Sequence, residues 1–217
     1  MDIRIRNYCR VTSGTVWLNG EAYLEPDCRP FDAQRFLSDI YKRSGIDYRK
    51  FFKMDTLSKL GFLCAELVLS PFDKEQPKEE TGIILFNRSS SLEADETYQQ
   101  TIREKDNYFP SPSVFVYTLP NIVTGEIAIR NRIHGETAFY VFPRFQSRQV
   151  EEIIRGALHA SGLRYLLAGW TEVYQGQTEA LMMLCERGGT ADDSLPLHPE
   201  RLEELWNMSN LNYYKYE

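Results

Sequence analysis

The sequence is poor in the residues that metal sites and disulfide scaffolds use, with four cysteines and three histidines among 217 residues. Cys9, Cys28, Cys64 and Cys185 are scattered, with no Cys-x-x-Cys pair and no histidine at ligand spacing, which argues against a zinc site and a disulfide framework. A chain of this size buries roughly 70% of the surface its unfolded form exposes, so one large domain can fold without either staple. The cysteines are therefore expected to be reduced packing residues. His134, His159 and His198 fall at the ends of expected helices, where capping or surface roles suit an imidazole. No metal and no cofactor is expected. HExxH, GxSxG, P-loop and GxGxxG motifs are all missing.

Long apolar runs are missing as well. No stretch approaches the roughly 20 apolar residues that a bilayer crossing needs, and Met1-Asp2-Ile3-Arg4-Ile5-Arg6 lacks the apolar segment of a signal peptide. A cytosolic protein with no membrane partner is the expectation. Acidic residues outnumber basic ones 31 to 25, for a net charge of −6, which argues against nucleic acid as a partner because phosphate binding rests on clustered Lys and Arg. Glycine and proline usage is average and no internal repeat is present, so solenoid and low-complexity classes drop out.

What is present is an alternation of short apolar runs with helix-like segments. Ile83–Phe86, Val114–Tyr117, Ala138–Phe142, Tyr165–Ala168 and Ala180–Cys185 read as strands buried on both faces. Phe31–Arg43, Asp55–Leu69, Leu92–Arg103, Thr124–Ile133 and Gln146–Ala160 carry helical period. The order predicts an α/β domain with helices on both faces of a sheet. Ile3 to Trp17 offers one or two edge strands before a tight hairpin at Asn19-Gly20. Residues 73–80 are charged and apolar-free, hence a solvated loop. Ser89-Ser90-Ser91 stands before an acidic first turn, as a helix cap does. Residues 1–190 form the expected domain, and 191–217 a tail with a short helix from Pro199 to Met208. The terminal stretch from Asn210 to Glu217 is expected to be frayed or docked by its tyrosines.

The stretch from Ser111 to Glu136 is the most informative. It reads as a strand, a break at Pro120-Asn121, an amphipathic helix containing Gly125-Glu126-Ile127-Ala128-Ile129, and a glycine exit at Gly135. This segment resembles the β-ketoacyl synthase branch of the thiolase-like superfamily, where Pro-Asn, small residues, Gly-Gln-Ile-Ala-Ile and Gly-Pro precede the strand that carries the nucleophile. Two flanks are similar in the same order: Phe52-Lys53-Met54-Asp55 with its following helix, and Leu166-Leu167-Ala168-Gly169-Trp170-Thr171-Glu172. The resemblance implies a thiolase-like half, three layers in α/β/α order, on a mixed, mostly parallel sheet of about five strands.

Set at the family's spacing, a count forward from Gly135 and a count back from Ala168 both land on Arg144. Acyl transfer needs a thiolate there, and arginine neither deprotonates nor attacks. No partner is placed by the sequence to activate Gln146, Ser147 or Ser161 instead. The family's two histidines and intervening lysine belong to a second half, for which the 45 residues after Glu172 are too few. The helix after Arg144 agrees with a missing layer. Val150, Ile153, Ile154, Ala157 and Leu158 share one face, while Arg148, Gln149, Glu151, Glu152 and Arg155 occupy the other and are expected to meet water. Leu202, Leu205 and Trp206 are candidates to cover part of that side.

The resemblance implies a catalytically silent subunit acting beside an active 3-oxoacyl carrier-protein synthase, in the manner of a chain-length factor. In full synthases the strand before the nucleophile pairs across the dimer; here that strand is Thr137–Phe142, with Phe139, Tyr140 and Phe142 as interface anchors or as ordinary internal residues. The partner would be an active ketosynthase or a second copy. Two alternatives stay open: a divergent 3-oxoacyl carrier-protein synthase, and a docking module in which Arg130, Arg132, Arg144 and Arg148 meet an acidic acyl carrier protein or a phosphate.

Overall fold

The computed structural model describes residues 2–12, 14–25, 30–74, 76, 78–106, 108–189 and 194–208. Cys28 and the expected tail from Asn210 to Glu217 lie outside the described residues. Eight strands form one mixed sheet: β1 (Ile3–Thr12), β2 (Thr15–Leu18), β3 (Glu21–Leu24), β4 (Thr81–Asn87), β5 (Thr137–Val141), β6 (Tyr165–Tyr174), β7 (Gln177–Arg187) and β8 (Leu195–Pro196). Their order is β3-β2-β1-β7-β6-β4-β5, with β8 beside the start of β1.

The expected α/β architecture with a mixed sheet is present, but the strand count and balance differ. Among the described strands two ladders are parallel, β4 with β5 on one side and β4 with β6 on the other. The remaining ladders are antiparallel. The cause is two hairpin systems whose non-local pairing no apolar run announces. Asn19 and Gly20 turn β2 into β3 with φ of 52° and 89°, and Gln175 and Gly176 turn β6 into β7 with 50° and 74°. Such left-handed pairs match the twist of a two-residue hairpin. β1 is consequently an internal strand between β2 and β7 rather than an edge.

The expected strand at Val114–Tyr117 is instead helical, with α4 (Pro112–Phe115) running into a 3-10 turn at Val116–Thr118. Pro112 at the first turn presets helical φ, and Phe115 and Val116 are exposed rather than buried. The other helices fall where periodicity placed them: α1 (Ala33–Ser44), α2 (Thr56–Val68), α3 (Leu92–Ile102), α5 (Ile122–Asn131), α6 (Ser147–Ala160) and α7 (Pro199–Trp206). Asp32, Asp55 and His198 cap α1, α2 and α7 by accepting the N–H of Arg35, Ser58 and Arg201. Ser91 does not cap α3; its hydroxyl donates to the Thr118 carbonyl at 2.6 Å.

Each face of the sheet has its own core. On one face α2 is buried along nearly its whole length, beneath α1 and α5. Gly61 permits this layer, because a Cβ there would sit 2.4 Å from Val123 Cγ2 of α5. On the other face Val150, Ile154 and Leu158 of α6 and Leu202 and Leu205 of α7 pack over Ile84, Phe86, Trp170 and Leu181. Arg148, Gln149 and Glu152 on the far side of α6 are exposed, as expected, whereas Glu151 and Arg155, also expected to meet water, are half-buried and paired with each other.

Arg10 anchors this second layer. It is 2% exposed, donating to the carbonyls of Trp206 at 2.9 Å, Val11 at 3.0 Å and Ala180 at 3.1 Å, and to Glu179 at 2.7 Å. Its guanidinium also lies 4.3 Å from the Trp206 ring. Burial pushes the Arg10 pKa down while Glu179 opposes the shift. Replacing Arg10 by Met strands several buried carbonyls, so a loss of about 3 kcal/mol is expected. At this chain length that corresponds to a melting point lowered by about 6–12 °C. Glu179→Gln, whose side chain is 41% exposed, should cost less than about 1 kcal/mol. Equal thermal melts for Arg10→Met and the parent chain would refute the anchoring role.

Candidate functional site

The three mutually parallel strands, β5, β4 and β6, end side by side, and ligand sites of open α/β sheets form beyond such carboxyl ends. A cleft of about 350 Å³ opens there, lined by Arg88 after β4, Arg144 and Phe145 after β5, Trp170 and Glu172 of β6, and Trp206 at the end of α7. Phe145 and Trp206 stack with centroids 4.3 Å apart and planes 3° apart, and Trp170 meets both rings edgewise at 6.0 Å. The wall is thus braced from behind by Arg10 and from the side by β6.

Glu172 is 8% exposed. Its Oε2 accepts the Arg88 N–H at 2.6 Å and the Ser89 N–H at 3.3 Å, tying the end of β6 to the loop after β4. Its Oε1 has no hydrogen-bond partner. The Arg88 and Arg144 side chains are exposed, and neither pairs with a carboxylate among the described residues. Arg144 precedes α6, whose first turn carries no acidic residue and whose cap residue Gln146 makes no side-chain cap bond.

Three of the four thiols are described, and all are buried away from this cleft. Burial pushes the Cys185 thiol up to about 12. A hydrogen bond with Cys64, and then burial, raises Cys9 well above its ordinary value. A thiol held protonated in an apolar core is a poor nucleophile. Ser147 is the buried first residue of α6. Among the described residues no group of His, Cys, Asp and Glu could hold a metal, and no helix is long and apolar enough to cross a membrane.

The four candidate arginines do not form one cluster. Arg144 and Arg148 stand together at the start of α6, both exposed. Arg130 and Arg132 close α5, before β5 begins, so the length of that strand separates the pairs. Arg130 is engaged there, 3.5 Å from Glu66 and 4.9 Å from the Tyr48 ring.

Among the described residues β5 is one of the two outer strands of the sheet, β3 being the other. Phe139 packs inward against the first core. Tyr140 and Phe142 stack on Phe86 at 5.6 and 5.7 Å, with Tyr140 39% and Val141 51% exposed. Ile83 N–H reaches Glu136 O, and Phe142 N–H reaches Asn87 O. By the alternation of a parallel ladder, Thr137, Phe139 and Val141 direct their N–H and C=O groups outward. The resemblance points to the aromatic side chains of this strand; the backbone of alternate residues is what the edge offers. Arg10 and Arg88 escaped sequence reading because an arginine on a strand or after one carries no signal of burial or convergence.

No family model matches the sequence, and no curated protein matches it. Solved structures do match. A chain of the ishigamide ketosynthase/chain length factor aligns with a TM-score of 0.62 and 14% identity, covering 88% of this chain and 64% of that one. A chain from a ketosynthase in complex with its chain length factor, from Xenorhabdus doucetiae, gives 0.60 and 17%, covering 87% and 80%. A third, from a type II polyketide acyl-carrier protein in complex with its ketosynthase, gives 0.56 and 12%, covering 86% and 62%. This chain therefore spans less than two thirds of the first and third of these chains. It has the ketosynthase-like, thiolase-type α/β fold that these synthase and chain-length-factor structures share.

Proposed function

We propose that this chain is a catalytically silent, ketosynthase-like subunit that works by joining an active ketosynthase along β5. What supports the reading is the combination of an outer strand left open among the described residues with a cleft lined by Arg144, the residue that the family's spacing sets at the nucleophile position. An unpaired strand edge is a template for another chain, and an isologous or pseudo-symmetric pairing through it would continue the sheet. The neighbours named as ketosynthase with chain length factor make such a partner the first to test.

Val141→Pro removes an outward N–H and leaves the β4 ladder intact, a substitution that edge strands tolerate. Co-purification with a ketosynthase is expected to fall at least tenfold while the melting point of the isolated chain stays within a few degrees. Undiminished co-purification would rule out β5 as the joint.

Silence is tested separately. After incubation with an acyl-carrier-protein thioester, intact mass should show no acyl adduct on this chain. A stoichiometric adduct at any cysteine, Cys28 included, would convert the reading to that of a divergent synthase.

Docking of an acidic carrier protein is a second reading, favoured by the exposed Arg144 and Arg148 at one helix start. A pull-down that weakens steeply with salt and is lost in Arg148→Glu is expected; one insensitive to both would exclude it.

A further inference from the structure

We infer that the groove between β5 and α6 is a selectivity pocket for the strand that joins β5, taking a large apolar side chain with a basic one two residues away. The inference rests on the reading of β5 as a joint and adds what the joining segment must carry.

The alternation along β5 fixes which side chains face the groove. The Ile83 N–H reaches the Glu136 carbonyl and the Phe142 N–H reaches the Asn87 carbonyl, so residues 136, 138, 140 and 142 bond inward to β4 and share one face. That face is the second core's, where Ala138 and Phe142 pack. There a groove of about 500 Å³ separates β5 from α6, with Ile84 of the central strand at its floor, Ala138 and Tyr140 on one wall, and Ile153, Gly156 and Ala157 on the other.

Neither wall fills this space. Ala138 is short between Glu136 and Tyr140, and a Cβ added at Gly156 would meet nothing within 4 Å. A residue laid opposite Ala138 by an antiparallel strand stands in a non-hydrogen-bonded pair, where facing side chains come closest, and its side chain enters the groove directly. Backbone pairing attracts any strand; the pocket for alternate side chains decides which is accepted.

Charge completes the specification. Glu136 is exposed and lines the same groove, and it faces the position two residues along from the one opposite Ala138, which suits a lysine or arginine. A second copy of this chain fits less well. Laid antiparallel about Phe139, the copy's Tyr140 would meet Ala138, but its Phe142 would meet the Glu136 carboxylate. The occupant is therefore a strand of a different chain.

Three fluorescein-labelled, amidated peptides serve as probes: Thr-Lys-Thr-Phe-Thr-Lys-Thr, the same peptide with Ala for Phe, and the same peptide with Glu for both Lys. Each is titrated with the isolated protein by fluorescence anisotropy. The Phe peptide is expected to saturate, and to bind about tenfold tighter than the Ala peptide and about threefold tighter than the Glu peptide. Gly156→Phe, which fills the groove from an exposed helix position, should lower the Phe peptide to the affinity of the Ala peptide, whereas Gly156→Ala should not. Glu136→Lys should reverse the order of the Lys and Glu peptides. Should Gly156→Phe fail to fold by circular dichroism, Glu136→Lys, a surface change, carries the test. Absence of saturation, equal binding of the Phe and Ala peptides, or a Phe preference that survives in Gly156→Phe would overturn the inference. If that unselective binding is lost in Val141→Pro, the joint at β5 stands without the pocket; if selective binding is untouched by Val141→Pro, the joint falls and the inference with it.

Discussion

The contact on which the rest of the structure depends is the burial of the Arg10 guanidinium under α7. A mixed sheet with apolar side chains on both faces must cover both. One face is sealed by α2 with α1 and α5 above it. The other has only α6, an amphipathic helix with a charged outer side, and the short α7. An eight-residue helix has little stability of its own, so its position is set by what holds its end. Arg10 does this from β1 by donating its Nε–H to the Trp206 carbonyl. Trp206 in turn stacks on Phe145 and sets the wall of the cleft.

With that face closed, the cleft and the outer side of β5 are what stays open among the described residues. The cleft sits at the carboxyl ends of β4, β5 and β6, the place where this architecture usually works, yet its lip carries an arginine and its described surroundings carry no thiol. Among the described residues no strand pairs with the outer side of β5. The proposed association rests on these two features, an edge open among the described residues and a cleft lined by Arg144 rather than a thiol.

Much of this was legible in the sequence, and the exceptions have physical causes. α6 could be read residue by residue because Val150, Ile154 and Leu158 fall on one side and Arg148, Gln149 and Glu152 on the other. The hairpin at Asn19-Gly20 was legible because turn chemistry is local. Val114–Tyr117 misled because a short apolar run does not distinguish a strand from a half-exposed helical turn. The antiparallel pairing of β1 with β7 joins segments far apart in the chain and no local signal encodes it. The arginines misled for the same reason: Arg132 and Arg144 are close in sequence but stand at opposite ends of β5. Arg144 itself and Glu172 lay in motifs that could be counted; their meeting with Arg88, Trp170 and Trp206 needed the fold.

Hydrogen exchange along β5 tests the central claim most directly, because it reads the edge itself. In the isolated chain the amides of Thr137, Phe139 and Val141 should exchange rapidly while those of β4 stay protected, and adding a ketosynthase should slow all three. Amides on β5 that are already protected in the isolated monomer, or that exchange at the same rate in the complex, would contradict the account.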